Sequence, residues 1–229
     1  MKKITFNLCL CLLILGVSSF QCSKKSEAAP PPGEIKAFAY APNTPVLKGL
    51  SANPVLRIAI SVPSGNSEQR FRKLPCSLNP AAVPNIQKID VYLTGAEPFS
   101  TGNLLVSFVP TTSAFDIPIT LNINSGVQFI WFSITLKNDA VIDEKLELRC
   151  NKLIDEAAKE LVVDAGTNVF SKRTGVAIRK AGDDGVNTYR IPGIVQTDRG
   201  TLLSVYDIRY NNSADLPGNI DVGLSRSTD

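Results

Sequence analysis

The chain has 229 residues and a mass of 24.7 kDa, with 44% hydrophobic and 20% charged residues. That composition excludes a disordered or fibrous protein and fits one large or two small globular domains. Its net charge of +3 falls to +1 once Lys2 and Lys3 are set aside, 22 basic against 21 acidic side chains, so no basic field argues for nucleic acid. There is no histidine, which removes Ser-His-Asp and Cys-His nucleophile pairs, His-ligated zinc and imidazole proton shuttles. Acid-base work falls to carboxylates, Tyr or Lys.

Met1-Lys2-Lys3 is followed by a mostly apolar stretch, Ile4 to Val17, too short to span a bilayer as a helix and fronted by charge as a secretory leader is. The reading predicts export, with a leader over residues 1–22 and two exits. Cleavage near Ser18 and Ser19 gives a periplasmic or secreted protein; lipid attachment at Cys22 gives an outer-membrane lipoprotein, for which Gln21 is an unusual neighbour. Residues 23–45 carry Ala29-Pro30-Pro31-Pro32-Gly33, Pro42 and Pro45 and read as a stiff, solvated spacer. Cys9 and Cys11 leave with the leader, so Cys76 and Cys150 remain as a candidate disulfide in an oxidising compartment. Two buried free thiols are the other reading.

From Val46 onward period two sets in. Leu56, Ile58, Ile60 and Val62 alternate with Arg57, Ala59 and Ser61, and Ile89, Val91 and Leu93 with Asp90, Tyr92 and Thr94. The alternation returns in Ile117, Ile119, Leu121 and Ile123, then in Val127 to Leu136 around Trp131, and in Leu146, Leu148 and Cys150. Such spacing predicts half-buried strands. Turn residues separate them, among them Pro63-Ser64-Gly65-Asn66 and Asn124-Ser125-Gly126. The pattern predicts an antiparallel, jelly-roll-like β-sandwich over residues 46–163. The one helical-looking piece is Lys152 to Glu160, to be read as a single turn or a strand lead-in. Phe129, Trp131 and Phe132 are expected to pack in the sandwich rather than to stack on sugars.

A second unit is expected over residues 164–229. Asp164 to Asn168 reads as a joint and Val176 to Arg179 as a strand, and Thr188-Tyr189-Arg190-Ile191-Pro192-Gly193 follows. Pro192 lacks an N–H, so Arg190 precedes a break in the ladder, where a long cation can leave the sheet edge. Ile194 to Tyr206 predicts a hairpin about Thr197-Asp198-Arg199-Gly200, after which Asp207, Arg209, Asp215 and Asp221 crowd one short segment. An ordinary hairpin, with Arg209 paired to a nearby Asp, accounts for the same spacing. No metal cluster shows ligand spacing and no Gly-rich phosphate loop leads into a helix, so neither a metal nor a cofactor is implied.

Tyr189-Arg190-Ile191-Pro192 resembles the Arg-Ile-Pro motif of bacterial exo-sialidases, or neuraminidases. Asp207-Ile208-Arg209-Tyr210 is similar to their Asp-x-Arg-Tyr segment, and Ser227-Thr228-Asp229 to the first half of the Asp box of their propeller blades. The likeness is close over residues 175–229, and the sandwich is similar, less specifically, to the amino-terminal domain of some members. The resemblance implies an all-β chain, a sandwich followed by the start of a six-bladed β-propeller. It further implies a retaining hydrolase with a tyrosine nucleophile that removes terminal sialic acid from sialylated glycans. Arg190 would be the first of three arginines clamping the sugar carboxylate, a task that suits the planar guanidinium fork. Arg209 would add a further donor, and Asp215 would be the general acid-base group.

The other arginines, the nucleophile and its glutamate partner find no match in these 229 residues. A blade takes roughly 40–50 residues, so residues 164–229 supply about one. The expectation is an inactive fragment of a sialidase. The reading from another class is an exported carbohydrate-binding or adhesion protein that uses the sandwich beside a vestigial blade. Nothing in the sequence bears on oligomeric state.

Overall fold

The computed structural model describes residues 33–142 and 144–227. The leader, Cys22 and residues 23–32 of the expected spacer lie outside them, as do Thr228 and Asp229 of the expected Asp box. The described residues are almost wholly β. The strands are β1 (Lys36–Tyr40), β2 (Val46–Lys48), β3 (Asn53–Val62), β4 (Gln69–Leu78), β5 (Ile86–Thr94), β6 (Leu104–Phe108), β7 (Ala114–Ile123) and β8 (Gly126–Leu136). They continue with β9 (Leu146–Cys150), β10 (Lys152–Asp155), β11 (Glu160–Asp164), β12 (Ser171–Lys172), β13 (Thr174–Val176), β14 (Thr188–Gln196), β15 (Leu202–Arg209) and β16 (Ile220–Arg226). Two short 3-10 turns, Pro80–Asn85 and Asp183–Gly185, complete the regular structure.

Two layers make the sandwich. One runs β1-β3-β8-β5-β6 with every neighbour antiparallel. The other is built on β4, with β7 along one edge and β9 and β10 end to end along the other. There β12 adds to β9 and β11 to β10, and β11 runs parallel to β1, joining the layers. The alternation seen in the sequence decides what lies between them. Leu56, Ile58 and Ile60 of β3 and Ile130, Phe132 and Ile134 of β8 meet Ile117, Ile119 and Leu121 of β7 in one buried cluster. Each such side chain, fully buried, contributes about 1.5–3 kcal/mol. Gly126, at φ +100°, supplies the left-handed residue of the β7–β8 turn that other residues enter only with strain.

In three places the structure is more specific than the sequence expectation. Residues 36–40 of the expected spacer are β1, a full member of the first layer, and Pro42 accepts a hydrogen bond from buried Lys172; burial lowers the Lys172 pKa. The helical-looking stretch is a hairpin, β10 and β11, whose turn is held by Asp155 Oδ1 accepting from the Ala157 and Lys159 amides at 2.9 and 2.8 Å. The sandwich also does not stop at residue 163. Phe170 lies in its core, β12 pairs β9, and Asn168 of the expected joint exchanges hydrogen bonds with Ala39 and Ala41.

Trp131 is buried, but on the outer face of β8 rather than between the layers. There its indole N–H donates to the Glu97 carbonyl at 3.0 Å and Phe99 lies edge-on to its ring. A loop thus covers the ring, and Phe132 alone of that pair belongs to the central cluster.

β13 runs parallel to β2, and the chain then forms a separate three-stranded antiparallel sheet, β14-β15-β16. Strand hydrogen bonds over Thr188–Arg226 thus hold the segment in which the sequence reading gathers its site residues.

Candidate active site

Arg190 lies opposite Asp207 in the β14–β15 ladder, and the register then shifts before Gly193 pairs with Val205. The irregularity spans Ile191 and Pro192, with Ile191 at φ +53°. A β-branched residue in the left-handed region costs of order 1–3 kcal/mol, the kind of strain that gathers at functional sites. The break turns the Arg190 side chain toward the β15–β16 loop. There its Nη1 donates to the Ser213 carbonyl at 2.8 Å and stands 3.7 Å from Asp215 Oδ1.

Arg209 ends β15 and is buried, its side chain only 2% exposed. Its Nη1 donates to the carbonyls of Ser213 and Ala214 at 2.9 and 2.7 Å. Its Nη2 meets Asp207 Oδ2 at 2.8 Å and Asp215 Oδ1 at 2.7 Å, while Nε is buried without a partner. The hydrogen bond to Asp207, then the contacts with Asp215, raise its already high pKa. Arg209 is therefore committed through Nη1 and Nη2 to the loop that carries Asp215 and to Asp207.

Asp215 is 76% exposed, so it faces solvent while both guanidinium groups approach one of its oxygens. The Arg209 hydrogen bond, the Arg209 charge and then the Arg190 charge lower its pKa below the ordinary carboxylate value. At neutral pH it is a carboxylate, and proton donation requires that one cation be drawn off or offset. The structure thus brings Arg190, Arg209 and Asp215 together.

Tyr189 and Tyr210 are not activated phenolates. Tyr189 has its pKa raised, chiefly by desolvation, and its hydroxyl donates to the Asp183 carbonyl at 3.0 Å. Tyr210 is raised first by its hydrogen bond to Asp221 at 3.0 Å. Tyr206 sits edge-on to Tyr189, accepts from Arg179 Nε at 2.9 Å and shares a 2.8 Å hydrogen bond with Ser225. Beside it a cleft of about 310 Å³ opens between Leu47 and Leu50 of the sandwich edge and Arg179, Tyr189 and Arg190. Asp215 does not line it, so the cleft reaches the site from the Arg190 side only.

Sequence reasoning placed Asp207 in the Asp-x-Arg-Tyr likeness without singling it out as a site residue, yet it is one of the two carboxylates that meet Arg209 Nη2. Its place two residues before Arg209, on the same strand face, was the available signal. Among the described residues no group of three His, Cys, Asp or Glu side chains could hold a metal ion. Cys76 and Cys150 are unbridged thiols here, buried and opposite one another across β4 and β9.

The chain is 42% identical over 104 residues to a protein of Bacteroides fragilis (strain YCH46) named sialidase, a match that covers 45% of this chain and 19% of that one. It is similar in fold to the solved structure of the Hadza microbial sialidase Hz136, with a TM-score of 0.68 at 23% identity, over 84% of this chain and 42% of that one. No protein-family model matches. The chain spans about a fifth of the length of the curated relative and about two fifths of the solved structure. It is sialidase-like in part of its sequence and in its fold.

Proposed function

We propose that these residues belong to an exported exo-sialidase that releases terminal sialic acid from glycoproteins, glycolipids or oligosaccharides with retention of configuration. The observation that carries the reading is the convergence of Arg190 and Arg209 on Asp215. Three residues singled out by resemblance to a sialidase meet at one carboxylate oxygen, in a chain 42% identical over part of its length to a sialidase.

In this reading Arg190 receives the sugar carboxylate as a bidentate fork. A bound carboxylate offsets one of the two cations that keep Asp215 ionised, so its proton affinity rises as substrate binds. Asp215 then protonates the leaving glycosidic oxygen and afterwards activates the water that releases the sugar. Arg209 acts through Asp215, fixing the loop that presents it. The sheet β14-β15-β16 is part of a propeller blade. The other clamp arginines, the tyrosine nucleophile and its glutamate come from outside these 229 residues, so residues 1–229 alone do not turn over substrate. The leader directs export, with lipid attachment at Cys22 one of its two exits.

Asp215→Asn in the complete protein tests the assignment. Sialyllactose turnover is expected to fall about 10²–10⁴-fold, with sialic acid still bound. The loss should be much smaller for an aryl sialoside, whose phenolate leaves without protonation. Unchanged turnover of sialyllactose would remove Asp215 from the mechanism.

A further inference from the structure

We propose that Cys76 and Cys150 form a disulfide across β4 and β9, a covalent staple within the sandwich that is independent of the catalytic reading. The two are register partners, with Ser77 opposite Arg149 and Leu78 opposite Leu148 on the same ladder. Directly opposed residues of antiparallel strands have Cα atoms about 4.5 Å apart in non-hydrogen-bonded pairs and about 5.5 Å in hydrogen-bonded ones. A disulfide accepts roughly 4.4–6.8 Å between Cα atoms, a range that takes in both kinds of pair.

The side chains satisfy the direction requirement as well. Opposed residues point to the same face of a sheet, and both thiols point inward, where they belong to the same buried cluster. They are also the two cysteines of the described residues. Packing alone gives no reason for these two to face each other, since alanine or valine pairs fill such a site equally well. The place is one where a staple matters. β9 meets β4 through Cys76, Ser77 and Leu78 only, while β10 takes over the same edge at Lys73. Between Cys76 and Cys150 the chain makes β5, β6, β7 and β8, so the bond would close a loop containing most of the opposite layer.

Formation is an ordinary two-electron oxidation by thiol-disulfide exchange. One cysteine thiolate attacks a small-molecule or enzyme disulfide and expels one thiolate, giving a mixed disulfide. The second cysteine thiolate attacks that sulfur, forms the Cys76–Cys150 bond and expels the other. Two protons are lost from the cysteines, and the oxidant is reduced to two thiols. Burial, and then a hydrogen bond with the Cys150 thiol, push the Cys76 pKa well up. The thiolate is therefore scarce in the folded protein, and the exchange proceeds before the layers close.

The test is to refold the full chain in a mixture of oxidised and reduced glutathione, trap free thiols with iodoacetamide and digest the monomer with trypsin without reduction. Cleavage after Lys73, Lys88, Arg149 and Lys152 places Cys76 in Leu74–Lys88 and Cys150 in Cys150–Lys152. The expected product is these two peptides linked, two hydrogens lighter than their sum and separated by dithiothreitol. The oxidised protein should also melt several degrees above the reduced one, a difference that Cys76→Ala with Cys150→Ala abolishes. Recovery of both peptides alkylated, or linked instead to Cys9, Cys11 or Cys22, would overturn the proposal on the native sequence, however the double variant folds.

Discussion

The sandwich and the sheet β14-β15-β16 use the same apolar residue types to opposite ends. In the sandwich each layer covers the other, and Ile58, Ile130 and Phe132 reach zero exposure. In the three-stranded sheet Val195, Val222 and Leu224 share one face and are 59%, 78% and 61% exposed. An apolar face of that kind stays bare at a cost unless something packs on it. The sandwich therefore contains the energy of its own fold, whereas the sheet carries the candidate site and keeps its order through hydrogen bonds, a few buried polar contacts and Tyr206. Stability and the candidate site are housed in different parts of the chain.

Substitutions can measure that division. Phe132→Ala, in the shared core, should cost about 3–5 kcal/mol, read as a lowered denaturant midpoint by circular dichroism; a cost below about 1 kcal/mol would mean that the layers are not the principal source of stability. Gly223→Ala comes next. Gly223 is the register partner of Tyr206, and an added Cβ would lie 2.2 Å from the ring, so about 1–3 kcal/mol should be lost through displacement of that ring. The displaced ring would also release Arg179 and Ser225. Val222→Thr, on the open face, should stay within about 0.5 kcal/mol. A larger loss there would show that something covers Val222 in solution and would erase the contrast.

Period two exposes β7, and β3 from Leu56 onward, because there buried residues alternate with more exposed ones without interruption. It does not expose β4, where the register slips between Phe71 and Lys73 and the buried set changes parity from Phe71 to Leu74 and Cys76. Pro75 further disguises that strand, and it is tolerated because it falls between the β10 and β9 pairings on that edge. β1 is inverted, with Ala37 buried while Phe38 and Tyr40 face outward. Glu156 to Glu160 favours helix locally, yet Asp155 and the left-handed Ala158 impose a turn. At the candidate site, Arg190, Arg209 and Asp215 were singled out by residue type and resemblance, and the structure brings their side chains together. The burial of Arg209 was not legible, because it depends on the Ser213 and Ala214 carbonyls folding back onto the end of β15.

The parallel pairing of β2 with β13 joins Val46 to Thr174, Leu47 to Gly175 and Val176 to Lys48, and Lys180 adds a hydrogen bond to the Gly49 carbonyl. The passage from one part to the other is thus splinted by strand pairing. Evolution or an engineer wishing to move the candidate site onto another carrier would find no clean seam at residue 163. A cut there would strip β12 from β9 and β13 from β2 at once, and the graft would arrive with its supporting edge torn open. The smallest transplantable unit includes the sandwich.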